Sequence, residues 1–102
     1  MAGVSSYILA EAAEADVSDI FDYTLGAHGS KQAADYLSGL EEALAALVQQ
    51  PGLGRARPEI REGLHSIPYQ HHVIFYRIMT DHLRIVRILH ARRDLPAHLM
   101  DA

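Results

Sequence analysis

The stretch HHVIFYRIMTDHLRIVRILH, residues 71–90, decides the fold. Two runs within it, His71–Ile78 and Leu83–Leu89, are rich in Ile and Val, and Met79–His82 separates them. Branched apolar residues on both sides of a short polar connection are typical of a β-hairpin. We therefore expect two adjacent antiparallel strands.

The position of the turn predicts the register of this hairpin. A turn centred on Thr80 and Asp81 pairs residues whose numbers sum to 161. Arg77 and His90 then share one face, with His71 opposite His90. The other face is expected to carry His72, Ile74, Tyr76 and Ile78 beside Leu83, Ile85, Arg87 and Leu89. Both faces are largely apolar, which favours a partner segment on whichever face the helices leave open.

The segments around the hairpin complete the fold. Leu64–Ile67 predicts one more antiparallel strand, and Tyr7–Ala10 predicts a first strand. Between them, apolar residues recur with a helical period in two segments, and Pro51 stops the second. Asp94–Met100 is typical of a short final helix.

The two helical segments have separate start and stop signals. We expect Gly26 and Gly29 to end the first helix and Ser30 to cap the second. The segment 51–58 is rich in Pro and Gly and predicts a loop, with Pro58 able to begin a helical turn. The order β-α-α-β-β-β-α predicts an α+β fold, a helical hairpin packed on a small, mostly antiparallel sheet, with residues 1–102 as a single domain.

Charge divides the chain into two halves. Residues 1–50 carry eight acidic residues and one lysine, a formal charge of −7, whereas residues 51–102 carry eight arginines and five acidic residues, a charge of +3. The total of −4 disfavours a protein that grips nucleic acid with its whole surface, and we expect no direct sequence-specific nucleic-acid binding. No apolar stretch approaches the ~20 residues that span a bilayer, so we expect a cytoplasmic protein without membrane contact.

The histidines and the missing cysteines bear on metal sites. The chain has seven His and no Cys, which excludes disulfides, zinc–thiolate sites and cysteine nucleophiles. His71 and His72 are adjacent on a predicted strand and so point to opposite faces. We expect neither a metal nor another cofactor.

A nuclease site is one interpretation of the strand residues. Arg77 and Arg87 could hold a phosphate while His90 served as general acid or base. The alternative is that the arginines extend to solvent and that His90 is structural or faces a partner. We favour the alternative because the chain is net negative.

Arginines form a second constellation. Arg55, Arg57 and Arg61 cluster in the predicted loop, and Arg92 and Arg93 follow the last strand. Arginine pairs with carboxylates as readily as with phosphates, and an acidic protein segment is the favoured ligand for a net acidic domain. A solvated, arginine-rich loop without a ligand is the alternative.

Three segments carry a resemblance to a known family. They are Arg57–Leu64, the strand His71–Arg77, and Ile85–Asp94 followed by Leu95 and Pro96. In this order and spacing they resemble the ParE branch of the RelE/ParE toxin superfamily, over residues 7–99. The most specific element is Ile-Leu-His-x-Arg-Arg-Asp at the end of the last strand.

The resemblance implies the toxin of a bacterial type II toxin–antitoxin system. Such a toxin is not an enzyme, contacts DNA gyrase, and is neutralised by a small cognate antitoxin whose tail folds on binding, giving a hetero-oligomer. We expect the partner-binding residues to be Arg57, Arg61, Arg77, His90, Arg92 and Arg93.

Two other functions remain open. RelE-like relatives are ribosome-dependent mRNA endoribonucleases, and Arg77 and His90 fall where some of them keep catalytic groups. This chain has one lysine and a pI of about 5.9, which departs from their strongly basic character and favours the gyrase branch. An inactive relative that only binds antitoxin is the third hypothesis.

Overall fold

The structure is a computed structural model that describes residues 3–92 and Leu99. In chain order its elements are β1 (Ser6–Leu9), α1 (Glu11–His28), α2 (Ser30–Gln49), a 3₁₀ turn (Pro51–Leu53), β2 (Arg55–Ala56), β3 (Leu64–Tyr69), β4 (His72–Ile78) and β5 (His82–His90). The strands form one sheet in the order β1-β5-β4-β3-β2. β1 runs parallel to β5, and the other neighbouring strands are antiparallel. The predicted α+β fold is confirmed. Apart from Leu99, the expected final helix lies outside the described residues.

The helical hairpin turns more tightly than expected. The prediction that Gly26 ends α1 is wrong, because the helix continues to His28. Gly29, with φ of 94°, is the single residue between the helices, and its N–H donates to Leu25 O over 3.0 Å. Left-handed backbone of this kind suits glycine and lets the chain reverse at once. Ser30 is therefore the first residue of α2 and makes no side-chain capping bond.

The segment 51–58 contains a strand that periodicity did not predict. Arg55 and Ala56 pair with Ser66 and His65 of β3. Tyr76 holds the preceding turn, since its hydroxyl donates to Pro51 O over 2.7 Å and accepts from Gly54 N–H over 2.9 Å. A Cβ at Gly54 would collide with that hydroxyl, so the close approach requires glycine. Pro58 begins a single turn, in which the N–H groups of Ile60 and Arg61 donate to Arg57 O.

The two faces of the sheet form separate apolar clusters. On the face that the helices cover, sheet residues such as Ile74, Ile85 and Ile88 pack with Leu40, Leu44 and Leu47 of α2. On the opposite face, here called the open face, Leu64, Phe75, Val86 and Leu89 cluster with Leu99, with Ile60 packed against them. The chain itself thus covers these four residues. The expectation that a partner segment covers this apolar surface is wrong for them.

A β-bulge changes the register halfway along the hairpin. Near the turn the pairs sum to 161 as predicted, with Arg77 opposite Arg84 and Tyr76 opposite Ile85. Val86 is then left unpaired, and Phe75 lies opposite Arg87. Beyond Val86, every residue of β5 lies on the face opposite to the one that an uninterrupted register would give it. Ile88 therefore enters the cluster under the helices, while Leu89 enters the open-face cluster.

Asp16 of α1 stabilises the bulged part of β5. β1 pairs with β5 only as far as Ile85, so within the described residues no strand pairs with the outer edge of β5 beyond that point. The Asp16 carboxylate accepts the Ile88 N–H over 2.9 Å. It also accepts two bonds of 2.8 Å from the Arg87 guanidinium. The prediction that Arg87 shares a face with Ile74 and Tyr76 is wrong, because the bulge pairs Arg87 with Phe75; its guanidinium reaches Asp16 of α1.

Asp16→Asn should destabilise the fold far more than a matched change in an exposed ion pair. The Arg87 and Asp16 side chains are only 20% and 12% exposed, so the variant leaves a half-buried guanidinium without its carboxylate. We expect the free energy of unfolding in urea to fall by about 1–3 kcal/mol. The control is Asp35→Asn, whose partner Lys31 is 90% exposed, and its cost should be several-fold smaller. Equal losses in the two variants would contradict this account of β5.

Candidate partner-binding surfaces

Three arginines lie in one row across the open face. Arg84 on β5 is opposite Arg77 on β4, and Arg77 is opposite Leu64 on β3. The N–H of Arg57, just after β2, donates to Leu64 O over 2.8 Å and continues the row. We call Arg57, Arg77 and Arg84 the arginine row. It results from the pairing of four strands and brings together residues that are distant in the sequence.

Local contacts orient two of these arginines. The Arg57 guanidinium donates to Glu59 over 2.6 Å and to Ser66 Oγ over 3.1 Å. Its hydrogen bond lowers the pKa of the Glu59 carboxyl. Arg77 donates to the carbonyl of Glu62 over 3.1 Å. Like charges directly opposite each other, as at Arg77 and Arg84, destabilise a strand pair, and a bound carboxylate would relieve that repulsion.

The predicted site residues do not form one patch. Arg61 lies beside Arg57, since its N–H donates to Arg57 O over 3.2 Å, and these two belong with Arg77 at one end of the sheet. His90 and Arg92 lie at the other end, about 20 Å from Arg84 along β5. Arg93 lies outside the described residues. The six residues therefore fall into an arginine group on the open face and a second group near the end of β5.

A groove of about 730 Å³ opens between the helical hairpin and the ends of β4 and β5. Its helical wall includes Asp19 and Tyr23 of α1 and Asp35 and Tyr36 of α2. Its sheet wall includes three histidines: His71, His72 and His90. We call this cavity the histidine–tyrosine groove.

Aromatic rings of α2 and of the sheet contact one another edge to face at the groove. His72 lies opposite His90 in the ladder, and their ring centroids are 5.5 Å apart. Tyr36 lies 5.5 Å from His72 and 5.1 Å from Tyr69, again centroid to centroid. The Tyr36 hydroxyl lies 3.1 Å from His72 Nδ1, and we assign it as the donor to a neutral imidazole. The Tyr69 hydroxyl donates to the backbone carbonyl of Tyr36 over 3.0 Å, which ties α2 to β3.

The surroundings of His72 keep its imidazole neutral. Burial is the largest cause that lowers the pKa of His72, and the neighbouring His90 and His71 lower it further. Burial also raises the pKa of the Tyr36 hydroxyl far above its ordinary value. Both groups are therefore uncharged at neutral pH, and the acidic side chains that line the groove are Asp19 and Asp35.

The three residues of the nuclease hypothesis are not brought together. The bulge places His90 in the groove, opposite His72 and not opposite His71 as the uniform register predicted. Arg77 lies on the open face, and Arg87 is bound to Asp16. The predicted sharing of one face by Arg77 and His90 is therefore wrong. A phosphate held by the two arginines would not meet the His90 imidazole.

The described part of the chain holds neither a metal-binding cluster nor a membrane-spanning helix. Within residues 3–92 and Leu99, no group of three or more His, Asp or Glu side chains is close enough to hold a metal ion. The helices in these residues are also too short or too polar to cross a membrane.

Sequence reasoning missed parts of both surfaces. Arg84 was not assigned to the partner-binding set, although its position opposite Arg77 follows from the turn alone. The joining of Tyr36 and Tyr69 to His72 depends on how α2 packs on the sheet, and no local pattern marks it.

Comparison with known proteins gives a consistent result. Residues 7–95 match the family described as the ParE toxin of the type II toxin–antitoxin system parDE. The chain is 36% identical to the toxin ParE1 of Mycobacterium tuberculosis over 96 residues, covering 93% of this chain and 98% of that protein. It is 34% identical to the toxin ParE1 of Caulobacter vibrioides, covering 91% of this chain and 96% of that protein.

A solved structure supports the fold. The chromosomal ParDE TA system from P. aeruginosa includes a chain that superposes with a TM-score of 0.71 at 21% identity. The match covers 85% of this chain and 95% of that one. At this identity the likeness concerns the fold alone.

Replacing His90 should change the titration of His72. His90 is one of the causes that lower the pKa of His72, so His90→Gln should raise that pKa, while burial still holds it below 6.5. NMR titration of the imidazole measures the shift. The control, His82→Gln, removes a histidine at the far end of β5 and should leave His72 unchanged.

The same variant should be less sensitive to acid. The unfolded chain takes up a proton at His72 near pH 6.5, and the folded chain resists it, so the folded state loses stability as the pH falls below that value. His90→Gln should reduce this loss. An unchanged His72 titration would contradict the contact between the two rings.

Proposed function

We propose that this chain, which belongs to the ParE toxin family of type II toxin–antitoxin systems, inhibits DNA gyrase by protein–protein contact and is neutralised by a cognate antitoxin. It acts without bond-making chemistry of its own and without a cofactor. Its site of action is the cytoplasm, where gyrase and DNA are found. The toxin and its antitoxin form a hetero-oligomer.

The observation that carries the proposal is family membership over nearly the whole chain. Relatives named as ParE toxins match more than nine-tenths of its length. The net charge of −4 agrees with a protein target better than with ribosomal RNA, which favours a broadly positive surface. The separation of His90 from Arg77 also argues against the ribonuclease alternative.

The arginine group is the proposed antitoxin contact. A tail that carries carboxylates suits this surface, where Arg57, Arg61 and Arg77 lie together at one end of the open face. Exposed arginines of this kind set orientation and association rate more than they set affinity. Arg92 and Arg93 would contact the same tail further along, and His90 is the proposed partner-facing residue at that end.

Two assays on the purified protein distinguish the three functions. A gyrase poison stops DNA supercoiling by gyrase and leaves translated mRNA intact.

His90→Gln should keep this activity, because the variant retains the side-chain size and a hydrogen-bond donor while losing acid–base chemistry. Loss of toxicity in folded His90→Gln, together with loss of ribosome-dependent mRNA cleavage, would assign the chain to the ribonuclease branch. A protein that does neither but binds antitoxin would be the inactive relative.

Charge reversal at Arg92 and Arg93 should slow association with the antitoxin. Replacing both residues with Glu removes two positive charges and adds two negative ones on the basic half of the chain. We expect a slower association rate with a weaker salt dependence in surface plasmon resonance. The matched control is Lys31→Glu, a charge reversal on the helical half, where the side chain is 90% exposed. Identical kinetics for the double variant and the wild type would assign Arg92 and Arg93 another purpose.

A further inference from the structure

The histidine–tyrosine groove differs chemically from the arginine row on the opposite face of the sheet. Its twelve lining residues lie within the described chain and include two aspartates but neither lysine nor arginine. A groove with this charge disfavours a carboxylate or a phosphate and attracts a cation.

The aromatic content of the groove favours the same kind of ligand. Tyr36, His72 and His90 form an edge-to-face series, and Tyr23 stands at the rim with 71% of its surface exposed. Aromatic rings attract a cation placed over their faces, and arginine both stacks on rings and pairs with carboxylates. Because burial lowers the pKa of His72, its ring adds no positive charge to oppose that cation at neutral pH.

We propose that the histidine–tyrosine groove is a second docking site, and that it takes an arginine side chain from a basic segment of a partner protein. Asp19 is the proposed partner of the guanidinium, and the exposed ring of Tyr23 is the proposed stacking surface. Asp35 contributes less because it already pairs with Lys31 at 2.8 Å. The volume of about 730 Å³ exceeds that of one side chain and leaves room for the flanking backbone of the segment.

This site does not depend on the proposed antitoxin contact. The arginine row would bind an acidic segment on the open face. The groove would bind a basic segment between the helical hairpin and the sheet. The two faces could therefore engage partners of opposite charge at the same time.

The test uses Nα-acetyl-arginine methylamide as the probe, followed by NMR of the full chain. Nα-acetyl-citrulline methylamide is the matched comparator, because it keeps the shape and loses the charge. We expect the arginine probe to shift the resonances of Asp19, Tyr23, Tyr36 and His72 with roughly millimolar affinity. The citrulline probe should bind at least about fivefold more weakly, corresponding to a charge-dependent contribution of about 1 kcal/mol.

Two variants locate the cation. Asp19→Asn should weaken binding of the arginine probe by about two- to fivefold, the range expected of an exposed charge pair. Glu14→Gln removes the same charge from the same helix outside the groove and should leave the affinity unchanged. Asp19 and Glu14 are both exposed, so both variants should fold, which circular dichroism confirms.

Other outcomes overturn the proposal. Equal affinity for the arginine and citrulline probes would show a groove selective for shape and not for charge. Shifts elsewhere on the surface, or equal weakening by the two variants, would show unspecific attraction to the acidic half. Tighter binding of Nα-acetyl-glutamate methylamide would show that the groove takes anions. Each of these results leaves the gyrase and antitoxin assays unaffected.

Discussion

The carboxylate of Asp16 holds the outer edge of β5, and the placement of the functional side chains depends on that contact. It accepts the backbone N–H of Ile88 and both bonds of the Arg87 guanidinium, all within 2.9 Å. Unpaired backbone N–H groups at a half-buried sheet edge are unfavourable. Here the Asp16 side chain of α1 accepts one of these N–H groups, that of Ile88. The same contact ties α1 to the part of β5 that follows the bulge.

The bulge divides the chemistry of the chain between the two faces of the sheet. Before Val86, β5 presents Arg84 to the open face, where it meets Arg77. After Val86, it presents His90 to the groove, where it meets His72. A uniform hairpin would have kept His90 on the same face as Arg77 and Arg84, although about 20 Å from them along the strands. The extra residue places His90 on the other face and leaves two surfaces of different charge, which suits a protein that acts by contact with partners.

Most of the architecture could be predicted from the hydrophobic periodicity and from the positions of Gly and Pro. The helices and strands are long compared with the short Gly and Pro segments that mark their ends. The helical hairpin, the meander and the pairing of Arg77 with Arg84 all follow from local pattern. The bulge could not be predicted, since Ile85, Val86, Ile88 and Leu89 are all apolar and give no alternation that would fix the face of His90. The groove depends on the packing of α2 against β3, a long-range contact. The sequence resemblance supplied the family, which geometry alone does not identify.

Cross-strand NOE contacts in the free protein measure the register of the hairpin beyond Val86. The rings of His90 and His72 have centroids 5.5 Å apart, so NOE contacts between them are expected, together with backbone contacts that pair Ile88 with Ile74. With a uniform register through the hairpin, His90 would instead lie opposite His71 on the open face. Backbone NOE contacts that pair Ile88 with Val73 and Leu89 with His72 would contradict the bulge and the separation of the two surfaces that follows from it.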